Sequence, residues 1–192
     1  MYKLVLKGNT YPYRRKLKRL GYAYNHDKNR YEKEFASYPS KKDIGRIYYF
    51  PGVKHEVIDT SQSRSADYRK RFFDSYKRTK RIKGKDYYRC VYCGRLLRRE
   101  KIQVDHLYPV KMAETNYHVR DKLKKQGCLS VNDPKNLVPA CGYCNKRKGA
   151  KMGWWIIQGK LGKSESYWRI RRIILASATV IALYMLLTVF ST

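Results

Sequence analysis

The chain has 192 residues, enough for one ordinary domain or for two small ones with an appendage. Its 44 lysines and arginines outnumber 15 acidic residues, and the formal net charge of +29 lies entirely before residue 173. Charge of this size repels itself and is usually relieved by a polyanion. The net charge therefore indicates binding to nucleic acid or to an anionic membrane. A basic surface that merely keeps the protein soluble would not need a charge of this size.

Residues 1–59 have the pattern of a small α+β module. Apolar and polar residues alternate from Tyr2 to Lys7, which predicts a strand with one buried face. A short helix should follow and end near Gly21. Two short runs around residues 25–29 indicate a hairpin, whose second strand holds the alternation over residues 31–35. A Pro-Gly turn then separates two more predicted strands, residues 47–50 and 53–59. The purpose of this module is not indicated by any motif.

A basic stretch follows a polar break at residues 60–63, which we take as a domain boundary. A helix is predicted from Ser65 onward, with aromatic residues on one face and basic residues on the other. Between Arg64 and Arg89 there are eleven lysines and arginines against three aspartates. Residues 60–89 are therefore predicted to form a basic linker helix.

Four of the five cysteines form two Cys-x-x-Cys pairs, Cys90/Cys93 and Cys141/Cys144. Because the opening residues lack the apolar core of a signal peptide, we expect a reducing compartment, in which thiolates bind metal rather than form disulfides. Two such pairs supply the four tetrahedral ligands of a structural Zn²⁺, which would close the 47-residue excursion between them. Cys128 is left over and is expected to be a small buried residue.

The segment between the cysteine pairs carries residues suited to chemistry. Residues 101–104 predict a short strand that delivers Asp105 and His106 at its end. A carboxylate is a ligand for a hard divalent cation, and a neutral imidazole can take a proton from water. Asn136 precedes the second cysteine pair, and Asn145 follows it where a short helix should begin. These residue types indicate metal-assisted hydrolysis of a phosphodiester.

At these positions the chain resembles the HNH endonucleases, in particular those with a four-cysteine zinc. The matching pieces, all within residues 90–149, are Cys-Val-Tyr-Cys, Val-Asp-His-Leu-Tyr-Pro, Lys-Asn-Leu-Val-Pro-Ala-Cys and Cys-Gly-Tyr-Cys-Asn-Lys-Arg-Lys-Gly. The resemblance implies a ββα-metal core, in which two strands and a helix surround one catalytic cation while a structural Zn²⁺ holds the edges. The expected fold class is therefore α+β.

The resemblance also implies a role for each residue of the motif. His106 would be the general base that activates water. Asp105 and Asn145 would be ligands of the catalytic cation, Mg²⁺ or Mn²⁺. Asn136 would brace the loop and help to orient the histidine. Two simpler roles remain open, since Asn136 can merely cap a turn and Asn145 can cap its own helix.

DNA is the expected partner, most of all in double-stranded form. Three basic residues follow Asn145 near a helix N-terminus, where backbone N–H groups already favour phosphate. The basic linker directly precedes the nuclease motif and is expected to add further phosphate contacts. The residues predicted to contact nucleic acid are Lys146, Arg147, Lys148, Arg69, Arg71 and Arg78.

Residues 154–172 are basic and aromatic, whereas residues 173–190 contain no charge. The apolar stretch would make a helix of about 27 Å, close to the roughly 30 Å hydrocarbon thickness of a bilayer. Aromatic residues and arginines at one end are typical of an interfacial anchor. We therefore expect a single transmembrane helix at the C-terminus, with the rest of the chain on the cytoplasmic face. If the apolar end is buried in protein instead, the chain would be soluble in the cytoplasm.

Together these patterns predict a membrane-tethered, metal-dependent HNH endonuclease that cleaves DNA, with its nuclease domain at residues 90–153. Two other classes stay open: a zinc module that binds nucleic acid without cutting it, and a basic protein that binds anionic lipid. The biological role also stays open among homing, phage packaging, host defence and superinfection exclusion.

Overall fold

The structure is a computed structural model that describes the backbone of residues 1–190 and the side chains of residues 1–188. Ser191 and Thr192, which follow the apolar segment, lie outside the described residues. The fold is mixed α+β, as the sequence predicts. The strands are β1 (Tyr2–Gly8), β2 (Ala23–Asn25), β3 (Arg30–Phe35), β4 (Val53–Asp59), β5 (Lys80–Ile82), β6 (Lys85–Arg89), β7 (Leu96–Arg98), β8 (Gln103–His106) and β9 (Leu137–Ala140). The α-helices are α1 (Arg14–Arg19), α2 (Lys41–Gly45), α3 (Tyr68–Ser75), α4 (Val110–Thr115), α5 (Tyr117–Lys125), α6 (Gly142–Lys148), α7 (Trp154–Leu161) and α8 (Glu165–Phe190).

One compact unit consists of residues 1–68 together with residues 108–136. Its four-stranded sheet has the order β2-β3-β1-β4, with antiparallel neighbours throughout. Val5, which alternation predicts on an exposed face, is fully buried together with Leu4 and Leu6. β1 is the central strand, so its side chains are flanked by those of β3 and β4. The core of the unit gathers Leu4, Leu6, Leu17, Tyr22, Tyr31, Ile47 and Phe50.

Residues 47–50 do not form the predicted strand. Ser40 begins α2 with a capping box, in which its side chain accepts a hydrogen bond from the Asp43 N–H and the Asp43 carboxylate accepts one from the Ser40 N–H. The helix then tightens into a 3₁₀ turn over Arg46–Tyr49. Ile47 and Phe50 are one turn apart and buried, so helical rather than alternating spacing accounts for this apolar run.

Residues 108–136 are grouped with the N-terminal residues, although the sequence interpretation assigns them to the nuclease domain. Helix α4 packs against β4. Arg120 and Asp59, both largely buried, form an ion pair at 3.6 Å. The side chain of Asn132 donates to the carbonyl of Ser63 at 2.7 Å and accepts from the Ser65 N–H at 3.1 Å. Residues 108–136, the middle part of the excursion between the cysteine pairs, thus contact the N-terminal residues partly through polar side chains.

The other compact unit consists of residues 69–107 and the described residues from 137 onward. Strands β5, β6 and β7 form an antiparallel sheet, and β8 and β9 form an antiparallel pair. In that pair Asp105 lies opposite Val138, and His106 lies opposite Leu137. The chain then continues from β9 through Cys141 into α6. Two paired strands and a helix therefore carry Asp105, His106 and Asn145, three of the four residues of the predicted motif.

The predicted basic linker is only partly helical. After α3, the chain turns through a two-residue hairpin at Lys83 and Gly84, whose φ angles of +46° and +72° suit the tight turn between β5 and β6. The aromatic face of α3 packs as predicted, because Phe72 is fully buried and the ring of Phe73 lies 5.3 Å from that of Tyr88.

Helix α8 is apolar and uncovered along most of its length. Its large apolar side chains from Ile173 to Leu187 are between 54 % and 68 % exposed. Among the described residues, one helical segment, Glu165–Thr188, is long and apolar enough to cross a membrane, and none of its apolar window is buried in protein.

Candidate active site and metal centre

Four thiols form a compact cluster. The Sγ atoms of Cys90, Cys93, Cys141 and Cys144 all lie within 4.8 Å of one another. Cys93 is exposed and the other three are buried. Four thiolates this close suit a tetrahedral metal ion such as Zn²⁺. Cys128 is buried in the first compact unit and is not a member of the cluster.

Each cysteine pair lies on a tight turn. In the first turn, the N–H of Gly94 donates to the carbonyl of Cys90 at 2.9 Å, and Gly94 has a φ of +81°, a conformation that strongly favours glycine. In the second, Cys141 caps α6, and its Sγ accepts a hydrogen bond from the Cys144 N–H at 3.4 Å. Both turns direct backbone N–H groups and sulfurs toward one point.

The thiols of the cluster differ in acidity. Burial raises the pKa of the Cys90 thiol to about 12. Burial acts in the same direction at Cys141, but hydrogen bonds accepted by its sulfur, first from the backbone N–H of Cys144, bring its pKa below the ordinary value. A bound Zn²⁺ would favour the thiolate form of every ligand. The cluster therefore fits a metal whose binding releases protons.

Asp105 is buried and its carboxylate has two partners. The ammonium of Lys148 lies 3.0 Å from Oδ2 and 3.3 Å from Oδ1, and the hydroxyl of Tyr92 donates to Oδ2 at 2.6 Å. Lys148 also donates to the backbone carbonyl of His106 at 2.8 Å. Its side chain is completely buried, and burial lowers its pKa while the charge of Asp105 opposes that shift. The ammonium is closed to bulk water and the carboxylate is 10 % exposed, so each charge depends largely on the other.

His106 is next to Asp105 on β8 and is only 2 % exposed. Neighbouring residues of a strand point to opposite faces, so the side chains of His106 and Asp105 lie on opposite sides of β8. Burial separates the imidazole from bulk solvent. A water that reacts with its help must therefore be one that the site itself holds.

Asn145 lies on the same face of β8 as Asp105. Its Nδ2 donates to Oε1 of Gln103 at 2.7 Å, and Gln103 is two residues before Asp105 on the strand. Because Nδ2 is used in this contact, the amide oxygen is the atom that a cation would bind. Helix α6 thus brings Asn145 and Lys148 to one face of the strand.

Asn136 belongs to the first compact unit and is 1 % exposed. Its Oδ1 accepts a hydrogen bond from the Tyr108 N–H at 2.8 Å, and its Nδ2 donates to the carbonyls of Tyr108 and Val131 at 3.2 and 2.7 Å. Tyr108 is the second residue after His106 in the chain. Asn136 joins two separate backbone segments and so does more than cap a turn.

Residues 90–151 match the family model of the HNH endonucleases. This part of the chain is an HNH domain. Comparisons of the chain with curated proteins and with solved structures found no match. The matched residues include the four cysteines, both strands of the β8–β9 pair and helix α6, which confirms the resemblance inferred from the sequence motifs.

Two of the three basic residues at the end of the HNH motif are on the surface. Lys146 and Arg147 are exposed, and the guanidinium of Arg147 lies 5.4 Å from the ring centroid of Tyr143. Lys148, also predicted to contact phosphate, is instead buried against Asp105. Its ammonium is not open to DNA in this structure, because it neutralises a carboxylate inside the HNH domain.

The three linker arginines before the HNH domain differ in environment. Arg69 lies 5.1 Å from the ring centroid of Phe73 and donates to the carbonyl of Ile102 at 3.2 Å. Arg71 is exposed. Arg78 is half exposed and lies 3.4 Å from the carboxylate of Asp86. All three remain at the surface of the second unit.

Sequence reasoning missed the residues that support the HNH domain from within. The burial of Lys148 could have been predicted, because this residue is four positions after the buried Cys144 and so shares its helix face. Tyr92 and Trp168 carried no such signal, because their partners are distant in sequence. Trp168, predicted to lie at a membrane interface, is 5 % exposed, and its Nε1 donates to the carbonyl of Gly162 at 2.8 Å.

The HNH domain offers oxygen ligands for a hard divalent cation. They are the carboxylate of Asp105 and the amide oxygen of Asn145, the donor types that Mg²⁺ and Mn²⁺ accept. A cation there would share Asp105 with Lys148. The donor types therefore suit a hard divalent cation, and the charge of the carboxylate is already balanced within the protein.

Proposed function

We propose that the chain is a metal-dependent endonuclease that hydrolyses DNA phosphodiester bonds with residues of its HNH domain. The observation that carries the proposal is the family match over residues 90–151, combined with the position of Asp105 and His106 at the end of β8. The four cysteines would hold a Zn²⁺ that stabilises the ββα-metal core and takes no part in the reaction.

His106 would act as the general base. It would take a proton from the water that attacks the phosphorus, a contribution typically worth about 10²- to 10⁴-fold in rate. The carbonyl of His106 accepts a hydrogen bond from Lys148, which fixes the backbone at this residue. Asn136 would support the same segment through its hydrogen bonds to Tyr108.

Asp105 and Asn145 would hold the catalytic Mg²⁺ or Mn²⁺ through their oxygen atoms. When bound, such a cation polarises the scissile phosphate and stabilises charge on the departing 3′ oxygen. Lys148 and Tyr92 would keep the carboxylate of Asp105 in one orientation, because both donate to it from the protein interior.

DNA would be bound by basic side chains around the motif. Lys146 and Arg147 are exposed directly after Asn145 on α6, and the planar guanidinium of Arg147 suits bidentate contact with phosphate. The linker arginines Arg69, Arg71 and Arg78 would add contacts on the same unit. Such contacts are independent of sequence and sensitive to salt.

Helix α8 would anchor the nuclease in a membrane. Its apolar side chains have no protein cover among the described residues, and a lipid bilayer would remove this surface from water. Arg169, Arg171 and Arg172 precede the apolar stretch, which by the positive-inside rule would put the HNH domain on the cytoplasmic side.

The anchor is tested by fractionation of cells that express the full chain. Wild-type protein should remain with the membranes through an alkaline carbonate wash and leave them only in detergent. Replacing Ile181 and Met185, both exposed on α8, with arginine should release it, because charge at the bilayer centre is strongly disfavoured. Wild-type protein in the carbonate supernatant would contradict the anchor.

Nuclease activity is tested with the full chain purified in detergent. With Mg²⁺ or Mn²⁺ it should convert supercoiled plasmid to the open-circular or linear form, and a chelator or the substitution His106→Ala should abolish the conversion. Cleavage by His106→Ala at the wild-type rate would refute the mechanism.

A second candidate is a zinc-dependent protein that binds nucleic acid without cutting it. Two observations favour it: Asp105 is neutralised by Lys148, and His106 is closed to bulk solvent. This candidate predicts salt-sensitive DNA binding that His106→Ala leaves unchanged, and no cleavage with either cation.

A further inference from the structure

The second compact unit has a groove that is separate from the cysteine cluster. It lies between α3 and the β5–β6 hairpin and has a volume of about 520 Å³. A shallower depression of about 470 Å³ adjoins it, and Phe73 and Arg99 line both. The two together form one continuous track along the side of α3.

The rim of this groove is strongly positive. One carboxylate, that of Asp86, faces five cations in the deeper part, and it lies 3.4 Å from Arg78 and 3.9 Å from Arg81. Among residues 1–188, whose side chains the structure describes, no ion pair joins a carboxylate to Lys77 or Lys80. The cations are Lys77, Arg78, Lys80, Arg81 and Arg99. Such a surplus in a concave surface favours an anionic ligand.

The floor of the groove is aromatic and holds one guanidinium in place. Phe73 and Tyr88 meet edge to face, with ring centroids 5.3 Å apart. The guanidinium of Arg99 lies 4.5 Å from the centroid of Phe73. An arginine held over a ring keeps its N–H groups available at the edge for a phosphate, and it loses less side-chain entropy when the phosphate binds.

We propose that this groove is a second DNA-binding site, which holds the phosphodiester backbone away from the scissile bond. The proposal rests on the proposed function for its ligand class and adds the surface that binds it. A polynucleotide fits better than a lipid surface, because a strand that lies along both depressions meets cations in each and aromatic side chains that can contact its sugars or bases.

The groove is connected to the catalytic strand. Arg69 lines the shallow part, and its guanidinium donates to the carbonyl of Ile102 at 3.2 Å. Ile102 directly precedes β8, which carries Asp105 and His106. DNA held along the groove is therefore held relative to β8, so the groove fixes where on the DNA the cut falls.

The test is DNA binding by the full chain in detergent, measured by fluorescence anisotropy with a labelled duplex and a chelator present. The groove variant replaces Lys77, Lys80 and Arg99 with alanine, and the matched control replaces Arg15, Lys18 and Lys41, which are exposed in the first unit. The groove variant should bind about 100-fold more weakly at low salt. Its slope of log affinity against log salt should fall by about 0.9 for each lost phosphate contact, whereas the control should keep the wild-type slope.

The outcomes separate the groove from the catalytic proposal. Wild-type protein that binds DNA but never cuts it would refute the nuclease and leave the groove supported. Equal losses in the groove variant and the control would overturn the groove even if the protein cuts DNA, because charge alone would then explain binding. If the groove variant binds anionic vesicles more weakly than wild type does, but binds DNA equally well, the groove binds lipid and the proposal is also overturned.

A single substitution covers the case in which the triple variant fails to fold. Lys80→Glu changes one exposed residue of the groove, and Lys41→Glu makes the same change in the first unit. Lys80→Glu should weaken binding about tenfold more than Lys41→Glu at low salt. Equal affinities for these two folded variants would overturn the proposal.

Discussion

The cysteine cluster and the Asp105–Lys148 centre are both buried in the second unit, yet their polar atoms are satisfied in different ways. The four thiols lie within 4.8 Å of one another and suit a metal ion, so under the proposed function their stability would depend on a ligand from outside the chain. Asp105 is neutralised by a lysine of the protein itself. The first region would therefore be lost when the metal is removed, whereas the second would respond to changes in the chain and in pH.

Substitution of a cluster cysteine should have the largest effect. Cys141→Ser removes one of four ligands and the sulfur that caps α6. Because structural zinc supplies about 10–16 kcal/mol of folding free energy in small domains, the variant should lose its zinc and its cooperative thermal transition. Cys128→Ser, outside the cluster, should keep one zinc per chain. Metal analysis and circular dichroism measure both, and a zinc-loaded Cys141→Ser with wild-type melting would contradict the cluster's role.

Removal of Lys148 should have the next largest effect. Lys148→Met leaves the buried carboxylate of Asp105 unpaired, and breaking a buried pair in this way destabilises by about 3–5 kcal/mol. Lys146→Met changes an exposed neighbour and should fall within about 0.5 kcal/mol of wild type. Chemical unfolding of the zinc-loaded protein measures the difference. Equal stability of the two variants would mean that the ion pair does not support this centre.

A glycine next to the cluster tests how tightly the turn is packed. Gly94 has a φ of +81°, and a Cβ there would lie 2.5 Å from the ring of Trp168. Gly84 has a φ of +72°, but a Cβ there would meet no atom within 4 Å. Gly84→Ala should lower the free energy of unfolding by about 1–2 kcal/mol through backbone strain. Gly94→Ala should lower it clearly more, because the indole of Trp168 must also move. Equal melting temperatures would show that Trp168 is not packed on this turn.

The smallest effect should be an alkaline loss of stability at the Asp105 centre. Burial, with the nearby charge of Asp105, raises the pKa of Tyr92 above its ordinary value of 10.0. The folded state then holds this proton to higher pH than the unfolded state does. The stability that the Tyr92 proton contributes to the folded state is fully present below pH 10 and is lost as the pH rises further. Tyr92→Phe should flatten the fall in melting temperature above pH 10, whereas Tyr143→Phe, at an exposed tyrosine, should follow wild type.

The residues with local signals could be predicted from the sequence, and those that depend on tertiary contacts could not. The Cys-x-x-Cys spacing predicted the cluster, and the Asp-His pair after a strand led to the HNH resemblance. The contact of Trp168 with Gly162 and the hydroxyl of Tyr92 on Asp105 join distant parts of the chain, so no periodicity indicates them. Residues 47–50 were misread because a short apolar run fits a strand or a helical turn equally well.

We propose that His106 is the general base, that Asp105 and Asn145 hold the catalytic cation, and that the four cysteines stabilise the fold. The most direct measurement is the single-turnover rate of plasmid cleavage at saturating DNA, with Mn²⁺ or Mg²⁺, for wild type, His106→Ala and His118→Ala. His118 is exposed and has no assigned role. We expect His106→Ala to cut at least about 100-fold more slowly with an unchanged zinc content and melting temperature, and His118→Ala to match wild type. Equal rates for the two histidine variants would contradict the account.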